Sequence, residues 1–370
     1  MTTTHTSISP LELAERIAAG ESVTVLDVRG DADWRIEGPG VRHLHVPAAE
    51  LLADPGAVAS LVDGPVAVLC ARGATAQAAA EALAAHGVDA AVVAGGMRGW
   101  IGALQERPVP LPIPRLEVVQ VQRPGRGCLS YLLVAGGEAL VVDPAPDAEA
   151  YAALALRFHA EVRQVIDTHL HADHLSGARA LAELTGARLR MPAAALERGI
   201  AFGDRMEPLY DGERLKVGGV ELRAVALPGH TTDMMGLLVA GRALVGGDSL
   251  FADGIARPDL QRGDPEGARA MSRTLHATLH GRVLSLPDEV VLLPGHAHPG
   301  VLPGPVAPTL GEVRRRVLEL GVEDADDFAD SLLAEMPPRP ANYEAVIAVN
   351  AGRRPFDPEL ESGGNSCATR

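Results

Sequence analysis

The stretch Thr168-His169-Leu170-His171-Ala172-Asp173-His174 constrains this chain more than any other. It follows a strand-like run from Val162 to Ile166. That order predicts a strand ending in a loop that opens a helix over Ser176–Thr185. Positions 169 to 174 hold four side chains able to ligate metal. In an extended segment His169 and His171 share one parity and point the same way. Asp173 and His174 follow where the chain turns into the helix. Neutral imidazoles and a carboxylate suit Fe, Zn or Mn. Without a metal, so dense a set is costly to desolvate, and its histidines would repel one another once protonated.

Three later segments supply partners: Leu227-Pro228-Gly229-His230, Leu244-Val245-Gly246-Gly247-Asp248 and Val291-Leu292-Leu293-Pro294-Gly295-His296. Each is an apolar run, then a glycine that lets the backbone approach closely, then a ligand-type residue. As an ordered set of four segments, this resembles the metallo-β-lactamase superfamily from roughly Leu116 to Val301. The resemblance implies an αββα sandwich with a metal at one edge of its two sheets.

The chain has 370 residues, enough for two domains or slightly more. A net charge of −15 argues against nucleic acid and anionic membranes as partners. No run approaches the roughly 20 apolar residues of a membrane span. Residues 1 to 10 lack a basic and apolar leader pattern. Cys70, Cys128 and Cys367 are too scattered for a disulfide framework. The expectation is a soluble protein of a reducing, cytoplasmic setting.

Residues 10–20 read as an amphipathic helix stopped by Gly20. Strands are expected at Val23–Leu26, Val66–Leu69 and Ala90–Val93, with helices near Ala48–Leu52 and Thr75–His86. This alternation implies an α/β domain, a parallel sheet with helices on both faces. Cys70-Ala71-Arg72-Gly73-Ala74-Thr75-Ala76 lies between a strand and a helix N-terminus. Successive N–H groups and the helix dipole make an anion-binding nest there, favouring a thiolate on Cys70. Residues 10–103 resemble a rhodanese domain through Leu26-Asp27-Val28-Arg29, Trp34, Gly38, His45-Val46-Pro47, the Cys70 loop, Gly95-Gly96 and Gly99-Trp100. The resemblance implies a sulfane sulfur carried as a persulfide on Cys70. Ala71 and Thr75 stand where that family often has arginine, so thiosulfate is expected to be a weaker donor than a thiol persulfide.

Pro108-Val109-Pro110-Leu111-Pro112-Ile113-Pro114 predicts an extended, semi-rigid spacer. The expected division is a rhodanese-like domain over 1–107, a proline-rich linker over 108–115, a metallo domain over 116–305, and a helical extension and tail over 306–370. Strands are expected at Leu116–Val121, Ser130–Val134 and Ala139–Val142. Asp143 could orient a ligand histidine or simply turn the chain. Cys128 is expected to be buried and inert. Helices are expected at Thr309–Leu320, Ala325–Met336 and Tyr343–Asn350, with a frayed tail that includes Cys367.

Two chemistries fit the ligand set, both implied by family resemblance. In one, His169, His171, His230 and Asp248 hold one zinc, and Asp173, His174, Asp248 and His296 a second, for glyoxalase II-like thioester hydrolysis. In the other, His169, His230 and Asp248 bind one Fe(II) per chain as a two-histidine, one-carboxylate face. His171, Asp173, His174 and His296 then surround that face. This is how persulfide dioxygenases are built, with Asp173 and His296 beside the chemistry. They oxidise a small thiol persulfide, such as glutathione persulfide, with O2 to sulfite and thiol. Arg257, Asp259 and Gln261 match the Gly-Arg-x-Asp-Phe-Gln stretch of those enzymes, while Ala256 and Leu260 depart from it. Arg257 would then orient the metal region or a substrate carboxylate. The fused rhodanese-like domain favours the dioxygenase. A non-enzymatic sulfur carrier is the third reading, and a homodimer is left open.

Overall fold

The computed structural model describes residues 7–31, 34–334 and 336–361. His5 and Cys367, with the tail around it, lie outside the described residues. The chain divides into two compact units. One comprises Met1–Glu106, Gln122–Gly127 and His298–Pro305; the other comprises Arg107–Val121, Cys128–Ala297 and Val306–Arg370. The stretch expected to run unbroken over 116–305 thus gives two short segments to the first unit.

In the first unit, Ser7–Ile8, Ala90–Val93, Val66–Leu69, Val23–Asp27 and Val41–His45 form an all-parallel sheet in that order. Val66–Leu69 is buried at every position, as a parallel strand covered on both faces must be. Its side chains alternate between two cores. Val68 joins Leu26, Leu51 and Leu83 on one face. Leu69 joins Leu13, Ile17 and Trp100 on the other. Helices Ala48–Ala53 and Ala74–Ala84 serve the first face, and Pro10–Ala18 and Gly96–Ile101 the second. Ser9 caps Pro10–Ala18 by accepting from the Glu12 N–H, with proline at the first helical position.

The second unit is built on two sheets. In one, Glu207–Leu209, Arg188–Pro192, Glu161–Ile166, Glu138–Val142, Leu129–Ala135 and Glu117–Gln122 lie side by side in that order. In the other the order is Arg214–Val217, Val220–Ala226, Met235–Val239, Ala243–Gly247 and Val291–Pro294. Its last two strands pair in parallel. Between the sheets, Leu129, Tyr131, Leu133, Leu140, Val142 and Ile166 meet Leu222, Leu237, Val239, Val245 and Leu293. Beyond the second sheet, Leu238, Leu244 and Leu292 pack with Leu275, Leu279, Leu310 and Phe328. Helices Ala148–Arg157 and Ala178–Thr185 cover the first sheet. The result is the expected αββα sandwich.

The proline-rich segment is not a free spacer. Val109 and Ile113 are buried in the core between the two sheets, and the Val109 N–H donates to the Val118 carbonyl. Its prolines keep it extended, but its alternate apolar side chains have a core to enter. Among the described residues, no helix is long and apolar enough to cross a membrane.

Tyr151 anchors the turn beneath the ligand-rich loop. Its hydroxyl accepts from the Ala145 N–H at 2.9 Å and lies 2.6 Å from Ser130 Oγ, all buried. Gly177 completes this packing, since a Cβ there would lie 2.0 Å from the Ala145 carbonyl oxygen. Tyr151→Phe removes one hydroxyl and leaves a buried N–H unpaired. A loss of about 1–3 kcal/mol is expected, to be read from urea unfolding of the variant against the wild type.

Candidate metal centre

Strand geometry delivers the ligand-type side chains to one place. Glu161–Ile166 ends just before Asp167 and Thr168, Val220–Ala226 before Leu227–His230, Ala243–Gly247 at Asp248, and Val291–Pro294 before Gly295 and His296. Two glycines make the approach possible. A Cβ on Gly295 would lie 2.4 Å from Asp248 Oδ1, and one on Gly247 2.8 Å from Thr168 Oγ1. Gly247 also takes a left-handed φ of 49°. His169, His171, Asp173, His174, His230, Asp248 and His296 are all buried.

The structure sorts these seven into groups. His169, His230 and Asp248 form one triplet. Nε2 of each histidine lies 3.8 Å from Asp248 Oδ2. All three atoms are buried without a hydrogen-bond partner. A buried polar atom left unpaired costs about 1–3 kcal/mol, so three aimed at one point require an occupant. Burial holds both histidines below the usual imidazole range, with His171 adding to the effect on His169. Neutral imidazole is the form that ligates metal. The opposite edge of each ligand is fixed by the protein. His230 Nδ1 pairs with the Arg257 carbonyl at 2.8 Å. His169 Nδ1 lies 3.0 Å from Thr168 Oγ1, which itself donates to Asp143 Oδ2 at 2.8 Å. Asp248 Oδ1 pairs with His296 Nδ1 at 2.7 Å. The donor set fits a metal ion.

His171 stands apart, with Nε2 3.2 Å from Asp143 Oδ1 and 3.8 Å from Asp167 Oδ1. Asp143 therefore serves two neighbours of the centre, Thr168 and His171, from a left-handed backbone of φ 51°. A second cluster gathers Asp173, His174, His296 and Cys128. His174 Nδ1 lies 2.9 Å from Asp173 Oδ1, and His296 Nε2 2.6 Å from Asp173 Oδ2. Burial opposes a charge on His174, yet Asp173 outweighs it and lifts the imidazole to about 9. Asp248 and Asp173 raise His296 in the same way against its burial. Cys128 is buried, as expected, and lies within this cluster. Burial would raise its thiol, and His174 and His296 instead pull it down to about 5.

Several supporting residues escaped the sequence reasoning. The Asp233 carboxylate accepts from the Leu170 N–H at 2.8 Å and from Arg198 at 2.7 Å. Asn350 Nδ2 donates to the carbonyls of His171 and His174. Neither Asp233, which follows polar Thr231-Thr232, nor Asn350 carries a local sequence signal of this role. Arg257 is fully buried, its guanidinium pairs with Asp259 and with the carbonyls of Pro337 and Pro338, and of its two expected roles this placement suits orienting the metal region. It touches the centre through its carbonyl on His230. Gln261 binds Thr232 through both amide atoms and steadies the same turn.

In the first unit, Cys70 is buried where Val66–Leu69 meets Ala74–Ala84. The Gly73 N–H donates to its sulfur at 3.0 Å. The Gly95-Gly96 turn braces the loop, with the Met97 N–H on the Cys70 carbonyl and the Arg98 N–H on that of Ala71. A Cβ on Gly96 would lie 2.2 Å from the Cys70 oxygen.

Comparison with known proteins agrees with this geometry. The model of the metallo-β-lactamase superfamily matches residues 123–296, and that of the rhodanese-like domain matches residues 9–103. A hydroxyacylglutathione hydrolase of Anaeromyxobacter dehalogenans is 31% identical over 243 residues, 65% of this chain and 84% of that protein. The chain belongs to the metallo-β-lactamase superfamily. It joins that domain to a rhodanese-like one. The human mitochondrial persulfide dioxygenase ETHE1 is 28% identical over 170 residues, 44% of this chain and 60% of that protein. The solved structure of ETHE1 from Myxococcus xanthus superposes with a TM-score of 0.55 at 25% identity, covering 64% of this chain and 98% of that one. A metallo-β-lactamase from Staphylococcus aureus shares the fold, with a TM-score of 0.59.

As a member of this superfamily the chain carries a metal-binding site in its second unit, and Asp248 is the carboxylate of its open triplet. Asp248→Ala is expected to lower metal affinity by about 100-fold or more while the unit stays folded. Metal content after dialysis, alongside circular dichroism, checks this; full metal retention removes Asp248 from the ligand set.

Proposed function

We propose that the chain is a mononuclear non-haem Fe(II) persulfide dioxygenase fused to a rhodanese-type sulfurtransferase. The observation that carries this reading is the unpaired triplet of His169 Nε2, His230 Nε2 and Asp248 Oδ2. Two histidines and one carboxylate with open positions are the donor set of non-haem Fe(II) oxygenases. The relatives named ETHE1 and the rhodanese-like partner domain support it further. In this reading residues 1–107 form the rhodanese-like domain, 116–305 the metallo domain and 306–370 its extension.

His169, His230 and Asp248 would hold the ion. Bound there, ferrous iron supplies the electron-transfer chemistry by which O2 reacts with a sulfane sulfur. The overall reaction is RSSH + O2 + H2O → RSH + SO3²⁻ + 2H⁺, in which the sulfane sulfur gives four electrons to O2. The Thr168 hydroxyl, backed by Asp143, and the Arg257 carbonyl hold the two histidines in the neutral tautomer with Nε2 free. His296, between Asp173 and Asp248, holds a proton beside the triplet. Burial of the whole set excludes bulk water from the charged groups. The substrate is a small thiol persulfide, with glutathione persulfide the first to test, since the relatives' names include glutathione thioesters.

A second reading, thioester hydrolysis on two metals, draws on the cluster of Asp173, His174 and His296 and on the hydrolase relatives. Metal analysis of anaerobically purified protein separates the two. About one iron per chain is expected; a pair of zinc ions selects the hydrolase. Oxygen uptake should depend on glutathione persulfide and yield sulfite, with S-lactoylglutathione a poor substrate. Fast thioester hydrolysis without persulfide-dependent oxygen uptake overturns the dioxygenase.

Cys70 is proposed as the sulfur carrier of the first unit. Serine keeps the loop's shape but cannot hold a sulfane sulfur. Cys70→Ser is expected to abolish sulfur transfer to thiols and to leave oxidation of a small persulfide nearly intact. Loss of persulfide-dependent oxygen uptake in this variant, with iron still bound, would make Cys70 an obligatory relay.

A further inference from the structure

The loop from His171 to Ser176 lacks both a sheet ladder and a helix. Its buried backbone groups need partners from elsewhere. They find them in the C-terminal region of the second unit. Asn350, the last residue of helix Tyr343–Asn350, supplies three hydrogen bonds. Its Nδ2 donates to the His171 carbonyl at 3.1 Å and the His174 carbonyl at 2.8 Å, and its Oδ1 accepts from the Ser176 N–H at 2.9 Å. Glu361 Oε1 accepts from the intervening Leu175 N–H at 2.6 Å. Asn350 and Glu361 are both buried. Apolar contacts seat the same helix. Val346 and Val349 pack on Leu175, and Ile347 packs on Ala172 and Leu260.

The same region also reaches the other side of the centre. The carbonyls of Pro337 and Pro338 accept from the Arg257 guanidinium, and Arg339 pairs with Asp259 at 3.1 Å. Arg257 is the residue whose carbonyl fixes His230 Nδ1. One stretch of chain thus holds the backbone around His171 and His174 at one end and the tautomer of His230 at the other.

We infer that Pro337–Glu361 is a positioning frame for the metal centre, with Asn350 as its central residue. The inference rests on the metal-centre reading of the triplet and not on which reaction it runs. Asparagine suits the position because one side chain must donate twice and accept once. Aspartate cannot donate to the two carbonyls, and leucine can do neither.

The test uses the full chain, stripped of metal and titrated with Co(II) against a chelating dye. Asn350→Leu and Asn350→Asp are compared with wild type by visible absorption of the bound cobalt and by circular dichroism of the metal-free protein. A positioning role predicts cobalt bound about 10- to 100-fold more weakly by folded variants, with a shifted cobalt spectrum. A purely structural role would lower the melting temperature and leave the spectrum alone. Glu361→Ala removes the acceptor of the Leu175 N–H at the edge of the frame. It carries the same test should Asn350→Leu not fold, with a smaller loss of affinity expected. Wild-type affinity and spectrum in folded variants overturn the inference while the metal-centre reading stands. A wild-type chain that binds no cobalt overturns both.

Discussion

Three lone pairs buried at one point, with no proton to share among them, set the terms for the second unit. His169 Nε2, His230 Nε2 and Asp248 Oδ2 are each unpaired because the opposite edge of each group is already engaged. An imidazole whose Nδ1–H is donated has only a lone pair at Nε2. A carboxylate with one oxygen paired to a histidine offers the other. The unsatisfied atoms are therefore the outcome of satisfied ones behind them, and a cation is the partner that completes all three.

That requirement propagates into the fold. The ligand-type residues follow the ends of strands from both sheets, so the sheets must pack closely where their edges meet. The backbones at Gly247 and Gly295 approach within distances that no side chain would tolerate. Asp143 accepts a left-handed backbone to reach both Thr168 and His171. Such a conformation in a non-glycine residue costs on the order of 1 kcal/mol or more and persists where its surroundings over-determine it. Four hydrogen bonds from Asn350 and Glu361 then brace a loop that has no secondary structure of its own.

The segments that bring the ligand-type residues together were legible in the sequence because each follows a strand-like run, and the sandwich was implied by the family resemblance those segments carry. The parallel sheet of the first unit was legible for a similar reason, since Val66–Leu69 and Ala90–Val93 are short apolar runs between helical patterns. What was not legible is pairing across long separations. Asn350 meets His171 and His174 from 179 and 176 residues away, and no local pattern marks it. Strands such as Arg214–Val217, with alternating charged side chains and only four residues, carry too weak an apolar signal to mark a strand. The proline-rich segment read as a spacer because prolines specify extension but not burial, and Val109 and Ile113 are drawn into a core that only the folded sheets create. For Arg257, the motif located the residue, but only the structure showed that its carbonyl, not its guanidinium, faces the centre.

The two clusters differ in how they stand without a metal, and this bears on how many ions the centre takes. In the cluster of Asp173, His174 and His296, a carboxylate lies between two imidazoles that its charge helps keep protonated. A second cation there would have to displace protons from histidines held above the usual imidazole range. The triplet has no such protons to lose, because burial already keeps His169 and His230 neutral. Metal entering the triplet therefore meets imidazoles that burial already disfavours in their protonated form, while metal entering the neighbouring cluster competes with protons favoured by Asp173 and Asp248.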